Sequence, residues 1–560
     1  MIRAVEDPRA AASAAQRPAA RPGDSVWVAA SAGTGKTKVL TDRVLSLMLH
    51  GTAPARILCL TFTKAAAAEM SNRLADRLAR WATMAEEQLS EDLADLLDAP
   101  PDSEMLARAR KLFARVLDAP GGMKILTIHA FCQSLLRRFP LEAGIAPHFQ
   151  VLDERSAAEM LQGAREEVLA GSEDDEDTAV AEVAVYAQEQ SFQELMAGLI
   201  RERARLRRLI ANHHGVTGLR AAIFRALEVD EAESPDDVVA AACADATFDY
   251  MGLLLAVEAM AGGGKTDRAH GASIAGWLAQ PSERPASFER YLGAFFTENG
   301  QGDAFKALVH KDALAAAPGI DAVLAGEAQR LDGVRARLNR LRVARATAGL
   351  VALGAEVLDA YDRRKQARAL LDYDDLILGA RGLLQGDGAA AWVLFKLDGG
   401  LDHILVDEAQ DTNPEQWQVI QSLAEEFFVG KGAREGPRTV FAVGDAKQSI
   451  YSFQRADPTA FARMREHFAS RAETIGQTLR KVDLSYSFRS VSAVLEAVDA
   501  VFAQEAAQDG VLFDDGAMTH QAVRAGQAGL VELWPPAEPA EAEQPAPWAP
   551  PQARPCAPGS

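Results

Sequence analysis

The residues best suited to chemistry in this chain lie in the run VWVAASAGTGKTKVL, residues 26 to 40. Its centre, Ala30-Ser31-Ala32-Gly33-Thr34-Gly35-Lys36-Thr37, is a phosphate loop with Ala in the place of the first glycine. Gly33 and Gly35 allow backbone N–H groups to face phosphate oxygens with no Cβ between them. Lys36 supplies a point charge to the β- and γ-phosphates, and Thr37 offers a hydroxyl to Mg²⁺. A helix opening at Lys36 aims its positive end at the same anion. The expected nucleotide-binding set is therefore Ala30, Ser31, Ala32, Gly33, Thr34, Gly35, Lys36, Thr37 and Lys38.

A second GKT triplet, in Ala261-Gly262-Gly263-Gly264-Lys265-Thr266, serves as a control. It follows MGLLLAVEAM, which has helical spacing and no β-branched stretch. A phosphate loop needs a strand to hold its first residue, so this copy reads as a glycine turn. Far downstream, the apolar run His403-Ile404-Leu405-Val406 ends in Asp407-Glu408-Ala409-Gln410-Asp411. There Asp407 is placed to hold Mg²⁺, and Glu408 to orient and deprotonate an attacking water. A third apolar run, Thr439 to Val443, ends in Gly444-Asp445-Ala446-Lys447-Gln448, and Gln448 can hydrogen-bond a γ-phosphate. Tyr451 and Phe453 follow, either to stack on a ligand or to pack a core.

These residues need a sheet to hold them. Residues 26 to 64 alternate strand, loop, helix and strand, and 65 to 118 carry Ala, Leu, Glu and Arg at helical period. Lys124 to Ile128 reads as a short strand before another helix. Helix formers fill 141 to 365, and strands return after 400, apolar on both faces as central parallel strands are. The fold class expected from these elements is α/β: a P-loop ATPase domain with a parallel sheet and an inserted helical domain. The expected boundaries are a flexible arm at 1–24, the ATPase domain at 25–140 plus 366–480, the helical insertion at 141–365, a further segment at 481–534, and a Pro-rich tail at 535–560. Nine of the 25 prolines fall in that tail. The acidic run 173–177 reads as a solvated loop, and the basic stretch Arg201 to Arg208 as a wet face or a nucleic-acid contact.

Composition sets bounds. The chain has 560 residues, 48% hydrophobic and 25% charged, which suits a globular protein with a sizeable core. No apolar run reaches transmembrane length, and the first 24 residues lack the apolar core of a secretory signal. The four cysteines form neither metal spacing nor a disulfide framework. A cytoplasmic location without membrane contact is expected. A net charge of −20 argues against a basic coat, though not against nucleic acid held in one groove.

In order along the chain, AASAGTGKT, LTFTKAAAAEM (60–70), LTIHAFCQSLLRRF (126–139), LDYDDLI (371–377), ILVDEAQDTNPEQW (404–417), FAVGDAKQSIYSFQRADP (441–458) and LSYSFRS (484–490) resemble the motifs of UvrD/RecB-type superfamily-1 helicases. The wording of the second and third is most similar to the AddA subunits of double-strand-break repair helicase–nucleases. Gln16 fits that family's adenine-reading glutamine. The resemblance implies a RecA-like P-loop NTPase fold for 25–140 plus 366–480, the start of a second RecA-like domain at 481–534, and ATP held between the two, with Lys36, Thr37, Asp407, Glu408 and Gln448 from the first and Arg489 brought to the γ-phosphate by the second. It implies single-stranded DNA over Thr61, Phe62, Thr63, Thr127, His129, Phe131, Tyr451 and Phe453, with duplex DNA ahead of it. It further implies an ATP-dependent 3′-to-5′ helicase with Mg²⁺, acting in DNA repair beside an AddB-like nuclease subunit. Motifs V and VI of the family have no counterpart before the Pro-rich tail. That leaves a second expectation, a truncated ATP- and DNA-binding module without motor activity of its own.

Overall fold

The computed structural model describes residues 7–171, 179–186, 189–305, 307–386, 390–398, 400–428, 436–450, 456–509, 511 and 519–536. The expectations for the acidic run 173–177, for Tyr451 and Phe453, and for most of the Pro-rich tail fall outside these residues. In chain order the described strands are β1 (Ser25–Ala30), β2 (Ile57–Thr61), β3 (Lys124–Thr127), β4 (Gln150–Val151), β5 (Leu370–Leu371), β6 (His403–Val406), β7 (Thr439–Gly444), β8 (Leu479–Leu484), β9 (Tyr486–Ser487) and β10 (Gln521–Ala522).

The chain divides into two compact units, Met1–Pro147 with Asp374–Ser560, and His148–Tyr373. The first is built on a six-stranded sheet in the order β3-β2-β6-β7-β1-β8, with every pairing parallel. Parallel strands are covered on both faces, and β6 and β7 are buried at every position. Alternation along β1 shows how. Val26, Val28 and Ala30 join Val39, Leu40 and Val44 of the helix Lys36–Leu49 in one core. Trp27 points the other way, stacking on Trp417 at 5.9 Å and meeting the tilted ring of Phe461 at 4.7 Å. Because all six strands run the same way, every loop that follows a strand emerges at one edge of the sheet, where α/β folds bind ligands.

Two expectations about this unit change. The stretch read as a flexible arm contains a helix, Pro8–Gln16, with Asp7 as N-cap and Pro8 in its first turn, followed by a 3₁₀ turn at Arg17–Ala20. Composition suggests disorder, but Ala12, Ala19 and Ala20 are buried, and Arg17 pairs with Asp95 and Asp98. The boundary drawn at 480/481 falls inside β8, which pairs with β1 from Ser25↔Leu479 to Ala30↔Leu484. That strand is half exposed, as an edge strand should be, which hides its membership in the sheet.

Among the described residues the second unit is helical, apart from the two-residue parallel pair β4–β5 and the bridge Phe296↔Ala304. Its spine is the 48-residue helix Ile320–Ala367, about 72 Å long at 1.5 Å per residue. The second GKT lies here. Gly262 to Gly264 join the helices Tyr250–Ala261 and Lys265–Ala279, with no strand before them. Buried Asp267 sits against Gly263, 2.5 Å from where a Cβ would stand, and an acid there repels phosphate. Within the basic stretch Arg203 grips Asp372, with one contact at 2.7 Å, and Arg207 pairs with Asp362, while Arg201, Arg205 and Arg208 are exposed.

Candidate functional site

The phosphate loop runs from the end of β1 to the helix at Lys36, with Gly35 as its N-cap. Gly33 has φ +74° and Gly35 φ +87°, conformations an L side chain adopts only with strain. Space forbids a side chain as well. A Cβ on Gly33 would lie 2.6 Å from the Arg489 Cβ, and one on Gly35 would lie 2.8 Å from Gln16 Nε2. The loop's carbonyls are turned outward and occupied. Phe488 N donates to Gly33 O at 2.8 Å, Gln16 Nε2 to Thr34 O at 2.8 Å, and Thr34 Oγ1 to Ser31 O at 2.8 Å. The first amides of the helix have no intrahelical acceptor, so this end presents donors to an anion.

Because β6, β7 and β1 are neighbours, three distant segments meet at this loop. Lys36 Nζ donates to Glu408 Oε2 at 2.6 Å and lies 3.4 Å from Gln448 Oε1. Glu408 is held in the left-handed region at φ +47° as the chain turns out of β6, which swings its carboxylate toward the loop. Asp407 sits beside it, buried, and accepts from the Glu408 N–H at 3.0 Å. Burial first, then the neighbouring Glu408 charge, push the Asp407 carboxyl up to about 6, against the pull of Lys36. Asp411 is also pushed up to about 6, by burial and then by Glu408. Such a cluster favours a cation beside it. Among the described residues no group of three or more His, Cys, Asp or Glu could hold a metal by itself. A hard divalent ion here would need oxygens from a bound phosphate, which is how Mg²⁺ usually sits.

Two residues hold the site together from behind, and one of them, Gln410, lies outside the set expected from sequence. Gln410, 1% exposed, donates from Nε2 to Glu408 Oε2 at 2.9 Å and to Asp411 Oδ2 at 3.1 Å. Its Oε1 accepts from Asp445 N at 2.9 Å. Asp445 caps the 3₁₀ turn Ala446–Gln448 and accepts from Gln448 Nε2 at 2.9 Å. The available signal is an amide set among acids in DEAQD, a position where only a donor relieves the repulsion. The other is Gln16, 4% exposed, whose Oε1 has no partner among the described residues.

Arg489, expected from a second RecA-like domain, follows β9, which pairs with β10 in a separate two-stranded sheet, and packs directly on Gly33. The expected DNA contacts are also redistributed. Thr61 and Thr127 are register partners at the ends of β2 and β3. Thr61 is 1% exposed and its Oγ1 donates to Thr63 O, while the Thr127 hydroxyl caps the helix Ile128–Arg138. Phe131 is 6% exposed and belongs to the interior face of that helix. These three side chains are therefore scaffold: strand ends and helix caps bury what the motif spacing presents as surface. Thr63 is exposed and caps the helix Lys64–Thr83, and Phe62 and His129 are partly exposed. Burial holds His129 below the usual imidazole range, with Asp374 opposing. Lys38 pairs with Asp42 at 2.7 Å, within its own helix.

Comparison with known proteins gives the family of the chain. The family model for the UvrD/REP helicase N-terminal domain matches residues 12–225 and 334–469. The chain is 30% identical over 529 residues to the ATP-dependent helicase/nuclease A-subunit of Desulforudis audaxviator, covering 85% of this chain and 38% of that protein. It is 30% identical over 523 residues to the protein of the same name from Pelotomaculum thermopropionicum, covering 87% and 38%. Against that from Staphylococcus saprophyticus it is 25% identical, covering 89% and 40%. The chain thus spans about two fifths of the length of the curated relatives it matches. With its matched segments covering Gln16, the phosphate loop, the acidic pair and Gln448, the chain belongs to the UvrD/REP helicase family.

Proposed function

We propose that this chain is the ATP-hydrolysing part of a DNA helicase subunit of the AddA type, acting in double-strand-break repair. One observation carries the reading: Lys36 of the phosphate loop is 2.6 Å from Glu408 and 3.4 Å from Gln448. A loop, a candidate base and a candidate γ-phosphate contact are thus within reach of one bound triphosphate.

In this reading Mg²⁺–ATP is the substrate. Thr37 and Asp407 hold the metal, whose charge offsets that developing on the transferred phosphoryl group. Phosphate oxygens compete with Glu408 for Lys36, because an ammonium binds phosphate strongly. Glu408 then turns to the attacking water as general base. Gln448 contacts the γ-phosphate and registers its loss, and Arg489 stabilises the transferring group. Gln16 reads adenine with its unpartnered oxygen. Single-stranded DNA runs over the helix starts at Thr63 and Thr127, where backbone amides meet phosphates and Phe62 stacks on a base. Domain closure and reopening move the strand 3′ to 5′ against a duplex. An AddB-like nuclease subunit is the partner, and the cytoplasm the location. No helix among the described residues is long and apolar enough to cross a membrane.

The test is ATP hydrolysis with and without single-stranded DNA. Strong stimulation is expected, abolished by Lys36→Ala together with nucleotide binding. Glu408→Gln should keep binding and stop turnover. Hydrolysis that survives Glu408→Gln would overturn the base assignment. Nucleotide binding without turnover on any DNA would leave a binding module in place of a motor.

A further inference from the structure

A second lysine, besides Lys36, reaches the phosphate loop. Lys447 lies in the single turn Ala446–Gln448 after β7, and β7 pairs with β1 up to Ala29↔Gly444. The turn and the loop therefore leave the sheet side by side. Lys447 Nζ donates to Ser31 Oγ at 3.2 Å, at the strand end of the loop. Its anionic neighbour, Asp445 Oδ1, is 3.6 Å away. Asp445 also accepts from Lys447 N at 3.2 Å and Gln448 Nε2 at 2.9 Å, so the ammonium shares this carboxylate with two other donors. The Lys447 side chain is 30% exposed, so its ammonium keeps access to incoming anions. A neutral hydroxyl is a weak partner for an ammonium compared with a phosphate oxygen.

The position also says which phosphate. Amides at the helix start hold the inner phosphates. The bond to be broken lies toward Glu408 and Gln448, on the β6 and β7 side of the loop. Lys447 is adjacent to Gln448 in the same turn. We propose that Lys447 is a second phosphate-binding cation of this site, selective for the terminal phosphate of a nucleoside triphosphate. The inference rests on the ATP-site reading and adds to it a contact that distinguishes triphosphate from diphosphate. On phosphate arrival the ammonium leaves Ser31 Oγ and bridges Asp445 and the terminal phosphate.

Binding of fluorescent mant-ADP and mant-AMP-PNP to the full 560-residue chain in magnesium buffer tests this. For Lys447→Met, affinity for the triphosphate analogue should fall about tenfold, the scale of one charge-assisted hydrogen bond. Affinity for the diphosphate should change less than about twofold, which also reports that the loop is folded. Lys447→Arg should recover most of the preference for triphosphate. Equal losses for both nucleotides would overturn the proposal and make Lys447 a brace for Ser31. Unchanged binding of both would overturn it too. A wild-type chain that binds neither nucleotide would overturn the ATP-site reading and the inference together.

Discussion

Gln410→Glu is the substitution most directly calculable from the geometry. It keeps the side chain's shape and the oxygen that accepts from Asp445 N, but removes the donors at 2.9 Å to Glu408 and 3.1 Å to Asp411. Each bond to a charged group contributes on the order of 1.5–3 kcal/mol. Each would become a contact between like charges, and two unit charges about 4 Å apart repel by about 4 kcal/mol at an effective dielectric of about 20. The site cannot hold that arrangement, so the new carboxyl takes up a proton or Glu408 swings away. Either change displaces the candidate base while the phosphate loop stays intact. Turnover should therefore fall roughly 10²- to 10³-fold, the scale of losing one preorganised polar contact. Nucleotide affinity should change by less than about threefold, because Gln410 holds the acids and not the loop. Steady-state ATP hydrolysis with single-stranded DNA, paired with mant-nucleotide binding, separates the two effects. A variant whose kcat stays within about threefold of wild type would show that Gln410 does not position the carboxylate of Glu408.

Two further outcomes follow from burial. Asp411 is raised from 3.8 to about 6, so the folded chain holds its proton more tightly than the unfolded chain does. Stability should therefore fall as pH rises from about 4 to 6, by on the order of 1–3 kcal/mol from this group. Asp411→Asn should lose that slope in urea melts in EDTA buffer, and a slope identical to wild type would contradict the assignment. Phe131→Ala should lower stability by about 3–5 kcal/mol, as for other large buried aromatics. It should leave the single-stranded DNA affinity of the folded fraction unchanged in fluorescence anisotropy. A selective loss of DNA binding at unchanged stability would put Phe131 back on the surface.

The strands and the phosphate loop are legible in the sequence because their signals are local. Apolar runs of about four to six residues ending in Gly-rich or acidic clusters read directly as buried parallel strands with a site at their tips. The pairing of Lys36 with Glu408 is legible only through motif order, since local pattern says nothing about which strands are neighbours. What stays hidden needs tertiary partners. The helix Pro8–Gln16 looks like a loose Ala- and Pro-bearing arm until Asp95 and Asp98 are seen gripping Arg17. β8 reads as polar because it is an edge strand, which hides its pairing with β1. Thr61, Thr127 and Phe131 carry chemistry-bearing types in motif positions, but caps and cores use the same residue types. Gln410 escapes notice because an amide stands out only once the three groups around it are known.

The strand order has one more consequence. β6 and β1 are separated by a single strand, β7. Neighbouring strands are about 4.8 Å apart, so the tips of β6 and β1 stand roughly 10 Å from each other. The sheet thereby acts as a gauge, cut to the breadth of a short chain of phosphates with its counter-ion. Inserting a strand there would widen the gap by half, and deleting β7 would close it. Loops and helices around the gauge are free to vary in length, while the lateral sequence β6-β7-β1 is not.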